Sequence, residues 1–336
     1  MKNTVAQFGL GKIGREIAKL VLNRQNYELV GLVDSDSEKV GRKATDILGA
    51  REAPDLKVTD DEEEVLQEQP DLAFHSTKSH IPEVIDQIKR ILDSGTNIIS
   101  TSEEMAYPYL RHEEPAEELN ELAKLNGATL LGTGVNPGFA MDFLPLVLTG
   151  VARELTKIEV RRVQNASLRR KALQEKIGLG LTEEQFEERV VEEGGHVGLL
   201  ESAALLGTGL GWRLEEIKTE TRPVIAEEPV KTDYFEASPG EPLGIHQTAS
   251  GIVAGEERIK LELEMYAGAE NPVDEISLHG TPELTLTVAG GIHGDIATPA
   301  IAVNSSQKVI EGEPGLLTIL DLYPYLYNFE RGNGTE

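Results

Sequence analysis

Up to about residue 150 the chain alternates short apolar runs with amphipathic stretches. Thr4-Val5-Ala6-Gln7-Phe8 and Glu28-Leu29-Val30-Gly31-Leu32-Val33 read as strands, and Arg15-Glu16-Ile17-Ala18-Lys19-Leu20-Val21-Leu22 between them has helical spacing. A third strand is expected near Leu56-Lys57-Val58, before an acidic helix starting around Asp61. Asp71-Leu72-Ala73-Phe74 is the next strand and runs into His75-Ser76-Thr77-Lys78-Ser79. Pro82 suits the first turn of a helix over Glu83 to Asp93, and Gly95 suits its stop. Asn97-Ile98-Ile99-Ser100-Thr101 predicts another strand, Pro115 to Leu125 a helix closed by Gly127, and Ala128 to Gly132 a further strand. Strands alternating with helices in this way predict a doubly wound α/β parallel sheet of the Rossmann type.

After about residue 150 the rhythm changes. Lys157 to Val163 alternates as a strand, and Thr182-Glu183-Glu184-Gln185-Phe186 has a capping-box start. A second helix is expected over Gly195 to Leu206. Strand-like segments follow at Glu215–Pro223, Gly244–Val253, Ile259–Tyr266, Glu275–Gly280 and Glu283–Ala289. Ile259-Lys260-Leu261-Glu262-Leu263-Glu264-Met265 alternates clearly, which gives a sheet with one buried and one wet face. This predicts a second α+β domain on a mostly antiparallel sheet. The expected division is residues 1–145 for the dinucleotide domain and 146–298 for substrate and oligomer contacts. A C-terminal helix over about 299–336 is expected to return to the first domain.

Composition narrows the partners. The chain has 336 residues, 39% of them hydrophobic, with no cysteine and a formal net charge of −26. Disulfides, thiolate catalysis and cysteine-ligated metals are excluded. His75 and His80 form no metal-ligand pattern with carboxylates, so no metal is expected. The acidity argues against nucleic acid and anionic membranes. No run is apolar enough to span a bilayer, and the N-terminus enters a strand directly. A cytoplasmic protein is expected, and a homodimer through the second sheet.

The chemistry begins at Gly9-Leu10-Gly11-Lys12-Ile13-Gly14, between the first strand and the first helix. In that context G-x-G-x-x-G binds a dinucleotide. Gly9 allows the turn, Gly11 lets a pyrophosphate approach, and Gly14 lets helix and strand pack closely. The diphosphate then meets the helix N-terminus. Asp34 ends the second strand about 20 residues on, where an acid accepts the ribose hydroxyls. Asp34 favours NAD, while Lys39, Arg42 and Lys43 leave NADP open.

Ligands of an open parallel sheet bind beyond the carboxyl ends of its strands. Three segments end strands there. His75-Ser76-Thr77-Lys78 offers hydroxyls and an amine for the nicotinamide ribose. Thr101-Ser102-Glu103-Glu104 offers carboxylates, one of which can hold an ammonium and take its proton before hydride leaves; Glu104 is favoured over Glu103. Gly132-Thr133-Gly134-Val135-Asn136-Pro137-Gly138-Phe139 offers Asn136, Pro137 and Phe139 to a substrate. In the second domain Arg169, in a basic run after Arg161-Arg162, suits a substrate carboxylate. His196, with Glu201 and Ser202, stands at a helix start.

Asn97 to Pro108, Gly132 to Phe139 and Gly195 to Ser202 together resemble the 2,4-diaminopentanoate dehydrogenase family, distantly related to dihydrodipicolinate reductase. The likeness extends to His75 to Ser79, Ala300 to Asn304 and Pro314 to Leu316. It implies an NAD(P)-dependent enzyme that reversibly deaminates a small amine or (di)amino acid, releasing a ketone or keto acid and ammonia. It also implies that a glutamate of the Glu103-Glu104 pair binds the amine, without fixing which. The segment Gln164 to Lys171 is more basic than that family leads one to expect, which leaves the substrate open. The paired-histidine and lysine–proline–serine–glycine motifs of dihydrodipicolinate reductases are missing. A reductase of imines in that style, and a cofactor-binding sensor without chemistry, are the rival readings.

Overall fold

The computed structural model describes residues 2–191 and 195–322. They form two compact units. One holds the residues up to Gly138 together with Gly294–Leu322, and the other holds Phe139–His293. Along the first unit run β1 (Asn3–Phe8), α1 (Lys12–Leu22), β2 (Tyr27–Val33), α2 (Ala44–Leu48), α3 (Glu62–Leu66), β3 (Leu72–His75), α4 (Ile81–Asp93), β4 (Asn97–Ser100), α5 (Glu113–Leu125) and β5 (Thr129–Gly132). The second unit adds α6 (Phe143–Thr149), β6 (Glu154–Asn165), α7 (Lys171–Lys176), α8 (Glu183–Phe186), α9 (Leu199–Gly209), β7 (Glu216–Ile225), β8 (Val230–Lys231), β9 (Glu236–Ala237), β10 (Pro242–Val253), β11 (Glu256–Tyr266), β12 (Val273–Thr281) and β13 (Leu284–Ala289). The chain then closes the first unit with α10 (Gly294–Ile310) and β14 (Gly315–Leu317).

The first unit is a parallel sheet in the order β14-β5-β4-β3-β1-β2. Strand order reverses at β1, with β2 on one side and β3 on the other, so the turns after β1 and β3 part at the switch point where such sheets bind ligands. Helices cover both faces. α1 turns Ile17, Ala18 and Val21 inward, spaced as one helical face. It shares a core with Ala302, Val303 and Val309 of α10 and with Val5, Leu29 and Leu32 of the sheet. On the other face Val84, Ile88 and Ile91 of α4 and Ala116, Leu119 and Ala123 of α5 pack on Ala6, Phe8 and Ile98. Alternate residues of β1 thus point into opposite cores, as strand geometry requires.

The second unit carries a sheet in the order β13-β12-β6-β11-β10-β7. Only β6 and β11 run parallel; the other pairs are antiparallel. The mostly antiparallel second sheet expected from the alternating pattern is therefore present. The capping box at Thr182 forms as well, with Gln185 answering it.

Three local expectations are corrected. Residues 56–58 form no strand: Lys57 and Thr59 make single bridges to Lys43 and Val33. Too few apolar residues stand between Pro54 and Asp60 to extend the pairing. The helix after Gly195 starts at Leu199, because Gly195 and Gly198 take left-handed backbone that no helix continues. The C-terminal helix begins at Gly294 and ends at Ile310, so it does not run over 299–336. Gly312 and Pro314 interrupt it, and Gly315–Leu317 instead pairs in parallel with β5 as the edge strand. The rest of that expected helix, residues 323–336, lies outside the described residues. No described helix is long and apolar enough to cross a membrane.

Candidate active site

The turn after β1 is built by backbone crowding. Gly9 has φ +84°, and a Cβ there would lie 2.4 Å from the Ser76 carbonyl oxygen. A Cβ on Gly14 would lie 1.9 Å from the Gly9 carbonyl oxygen. Both positions exclude any side chain. Gly11 differs: a Cβ there meets no protein atom within 4 Å. The start of α1 carries no side-chain cap and no acid in its first turn. Open space before uncapped N–H groups fits a diphosphate. Leu10 is buried, and Ile13 packs on the α1 core.

Side chains brace this turn. Gln7, buried in β1, donates through Nε2 to the Phe8 and Gly9 carbonyl oxygens and to Ser76 Oγ. A glutamine inside an otherwise apolar strand was the signal for it, and the motif alone does not show it. Lys12 Nζ lies 3.0 Å from the buried Asp295 carboxylate at the start of α10. Asp34 accepts from the Leu10 N–H at 2.6 Å, from the Asp36 N–H at 2.9 Å and from Lys39 Nζ at 3.0 Å.

The turns after β3, β4 and β5 are zipped together at the same sheet edge. The Ser76 N–H donates to the Phe8 carbonyl oxygen, Thr101 N–H to that of His75, and Thr133 N–H to that of Ser100. Ser102 Oγ donates to the Lys78 carbonyl oxygen at 2.6 Å. A Cβ on Gly132 would strike the Met105 carbonyl oxygen, so only glycine lets the β5 turn pass beneath the β4 turn. His75 is wholly buried. Its Nδ1 pairs with Ser100 Oγ, and its Nε2 lies near Gln87 Oε1 and Thr77 Oγ1. Burial pushes its pKa down to about 4, against the raising effects of Gln87 and Glu62. The His75 ring is thus a neutral strut between strand ends, and the loop's Ser76 and Thr77 follow it.

The two neighbouring acids have different surroundings. Glu103 and Glu104 open a short 3-10 turn, Glu103–Ala106. Glu104 is 4% exposed. Its Oε1 meets His80 Nδ1 at 3.0 Å, and its Oε2 meets the Ile81 N–H at 2.8 Å and His112 Nε2 at 2.9 Å. Burial alone would raise its pKa; the hydrogen bonds from His80 and Ile81 and the charges of both histidines outweigh that and hold it low. The carboxylate ties the starts of α4 and α5 together. Glu103 is half-buried. Sequence named His80 only in setting a metal aside and did not name His112, because their common partner lies 24 and 8 residues away.

Asn136 and Pro137 follow β5 in the first unit. Asn136 is buried, its peptide bond to Pro137 is cis, and the adjacent Val135 N–H donates to Thr298 Oγ1. Phe139, Arg169 and His196 belong to the second unit. Phe139 lies 6.0 Å from the Phe143 ring, and the His196 N–H donates to Gln247 Oε1. Arg169 is buried, and its charge is felt by Arg162. Arg162 itself is 2% exposed and is engaged with Asp274 at 2.5 Å and the Ile292 carbonyl oxygen at 2.7 Å. Burial lowers the Arg162 pKa, opposed by Asp274. Asp274 also accepts from the Ile292 N–H, so the pair pins the strand-to-helix link ahead of α10. Ser202 donates to the buried Asp142 carboxylate.

Comparison with known proteins agrees with this architecture. Residues 139–326 match the family model for the 2,4-diaminopentanoate dehydrogenase C-terminal domain, and residues 4–101 match that for the dihydrodipicolinate reductase N-terminus. The chain is 33% identical to 2,4-diaminopentanoate dehydrogenase of Acetoanaerobium sticklandii, over 96% of this chain and 93% of the relative. It is 23% identical to an amine dehydrogenase of Streptomyces virginiae, over 94% of each. The solved amine dehydrogenase of Mycobacterium smegmatis superposes with a TM-score of 0.86 at 25% identity, covering 97% of this chain and 98% of that one. The chain belongs to the 2,4-diaminopentanoate dehydrogenase family and is an NAD(P)-dependent amine dehydrogenase.

Proposed function

We propose that the enzyme interconverts a small primary amine or (di)amino acid with the matching ketone or keto acid and ammonia, and that Glu103 is its acid/base. The observation that carries the assignment is the commitment of Glu104 to His80, His112 and the Ile81 N–H. A carboxylate so held is a brace for the turn, and the turn carries Glu103 at the carboxyl end of β4. The likeness of the chain to amine dehydrogenases supports the amine as substrate.

Bound nicotinamide supplies or takes up the hydride at the carbon that bears nitrogen. In the direction of amination, Glu103 takes a proton from ammonium, so that free ammonia attacks the carbonyl carbon. It then returns that proton to the carbinol oxygen, which leaves as water. In deamination the same carboxylate holds the substrate ammonium and accepts its proton before hydride departs. Gly9 to Gly14 hold the diphosphate, Asp34 the adenosine ribose, and Ser76 and Thr77 the nicotinamide ribose. The buried Arg169 supports a substrate with a carboxylate, and Asn136, Pro137, Phe139 and His196 are assigned to its orientation.

The test is consumption of NADH and NADPH with ammonia and a panel of short ketones and oxo acids. Ammonia-dependent turnover is expected, with oxo acids ahead of neutral ketones of equal length. Turnover of dihydrodipicolinate with none on this panel, or cofactor binding without any turnover, would overturn the proposal.

A further inference from the structure

A chain of hydrogen bonds runs from α3 through α4 to the turn after β3. Glu62, the first residue of α3, accepts from Arg90 Nε at 2.9 Å and from Gln87 Nε2, both on α4. Gln87 Oε1 lies 2.9 Å from His75 Nε2, which lies 2.9 Å from Thr77 Oγ1. On the other side of the ring, His75 Nδ1 lies 3.0 Å from Ser100 Oγ. The donor at each link follows from the link before. A carboxylate paired with an arginine only accepts, so Gln87 turns its amide NH₂ to Glu62 and its oxygen to His75. An amide oxygen also only accepts, so the proton of the neutral His75 ring sits on Nε2. Nδ1 is then an acceptor, and Ser100 gives it a hydroxyl hydrogen while taking the Ser102 N–H at 3.2 Å. A protonated Nε2 cannot accept, so the Thr77 hydroxyl turns its hydrogen away from His75. Thr77 is exposed, so that hydrogen is open to a ligand.

We infer that Glu62 and Gln87 are positioning residues for the cofactor: they hold His75 as the Nε2–H tautomer and so make the Thr77 hydroxyl a donor to an acceptor oxygen of the nicotinamide ribose. The inference rests on the reading of Thr77 as a ribose contact. The opposite tautomer would take the Thr77 hydrogen for its own bare Nε2, and the ribose would meet a lone pair instead. Burial keeps the ring neutral. A charged ring would donate at both nitrogens and leave the buried Ser100 hydrogen without its acceptor. The neighbouring Ser76 is set in the same sense. Gln7 Nε2 faces the carbonyl oxygens of Phe8 and Gly9, so Ser76 Oγ accepts from it and keeps its own hydrogen for another partner.

The experiment reads the tautomer from the ring nitrogen-15 shifts of His75 in the cofactor-free protein at pH 7, and NADH affinity by fluorescence titration. The wild-type ring is expected to be Nε2–H. Gln87→Met removes the acceptor and should give a mixture of tautomers. Glu62→Gln lets the Gln87 amide turn over and should do so to a smaller extent. NADH should bind about three- to tenfold more weakly to Gln87→Met. In a Thr77→Val background the same substitution should change NADH affinity by less than about twofold, because the hydroxyl that it orients is gone. Should Gln87→Met fail to fold, Glu62→Gln carries the same comparison. An Nδ1–H ring in the wild type overturns the inference. So does unchanged NADH affinity in Gln87→Met, or an equal loss with and without the Thr77 hydroxyl, which is what a purely structural role would give. If Thr77→Val alone binds NADH as the wild type does, the ribose reading of Thr77 fails and takes the inference with it, even with the Nε2–H tautomer in place.

Discussion

The turn after β1 and the turn after β4 stand at the same edge of one sheet and are made in different ways. The first is specified by backbone. Gly9 and Gly14 are fixed because a Cβ at either place would overlap a carbonyl oxygen. The second is specified by side chains from elsewhere, since Glu104 is held by His80, Ile81 and His112. A turn of the first kind tolerates almost no sequence change and leaves a motif. In a turn of the second kind the two letters Glu-Glu leave no motif, and the hold on Glu104 shows only in the folded chain.

Exchanging the two carboxylates for amides tests that difference most severely. Glu103→Gln removes the proposed proton acceptor and is expected to lower kcat by about 10²- to 10⁴-fold, with NADH affinity and thermal stability unchanged. Glu104→Gln should do the reverse. It leaves buried donors facing a weaker acceptor, so unfolding free energy should drop by about 1–3 kcal/mol while most turnover survives. Steady-state kinetics and urea unfolding on both variants decide between them. A large loss of kcat in Glu104→Gln at normal stability, with Glu103→Gln active, would reverse the roles.

The same contrast explains what was legible in the sequence. The alternation of strands and helices, the glycine turn and Asp34 all depend on local pattern, and β1, β2, α1 and α4 form where that pattern puts them. The strand expected at Leu56-Lys57-Val58 reduced to single bridges, because a three-residue pattern carries too little apolar surface to extend pairing. The edge strand Gly315-Leu316-Leu317 was not legible, because so short an apolar run looks the same whether it ends a helix or adds a strand to β5. The pairings of Arg162 with Asp274 and of Asp142 with Ser202 join residues 112 and 60 positions apart, and no spacing rule reaches that far. The contacts of Glu104 with His80 and His112 join residues 24 and 8 positions apart, and no local pattern announced them.

Acid should damage the region between the two turns first. His75 stays neutral in the folded protein down to about pH 4, whereas in the unfolded chain it takes a proton near its ordinary 6.5. Between those values the unfolded chain binds more protons, so stability rises with pH and is lost as pH falls from 6.5 toward 4. The loss from pH 7 to pH 5 should be about 2 kcal/mol from this group alone. Glu104, held below the usual carboxylate range, adds its own loss only at lower pH, as it is protonated. Urea unfolding at pH 7 and pH 5 should show the first window, and His75→Asn should flatten it. An unchanged slope in that variant would place the acid sensitivity elsewhere.

The mildest test separates roles within the glycine turn itself. Gly11 has ordinary negative φ, and a Cβ there faces open space. Gly11→Ala should therefore fold with unchanged stability, within about 0.5 kcal/mol. Its methyl group would stand where the diphosphate approaches, so NADH affinity should fall by about tenfold, roughly 1.4 kcal/mol. Gly14→Ala must instead move the Gly9 carbonyl, so stability and affinity should fall together. Binding titrations and thermal melts on the two variants give two numbers each. If Gly11→Ala binds NADH as well as the parent does, the space before α1 is not where the diphosphate lies, and the backbone-built turn would serve the packing of α1 on β1 alone.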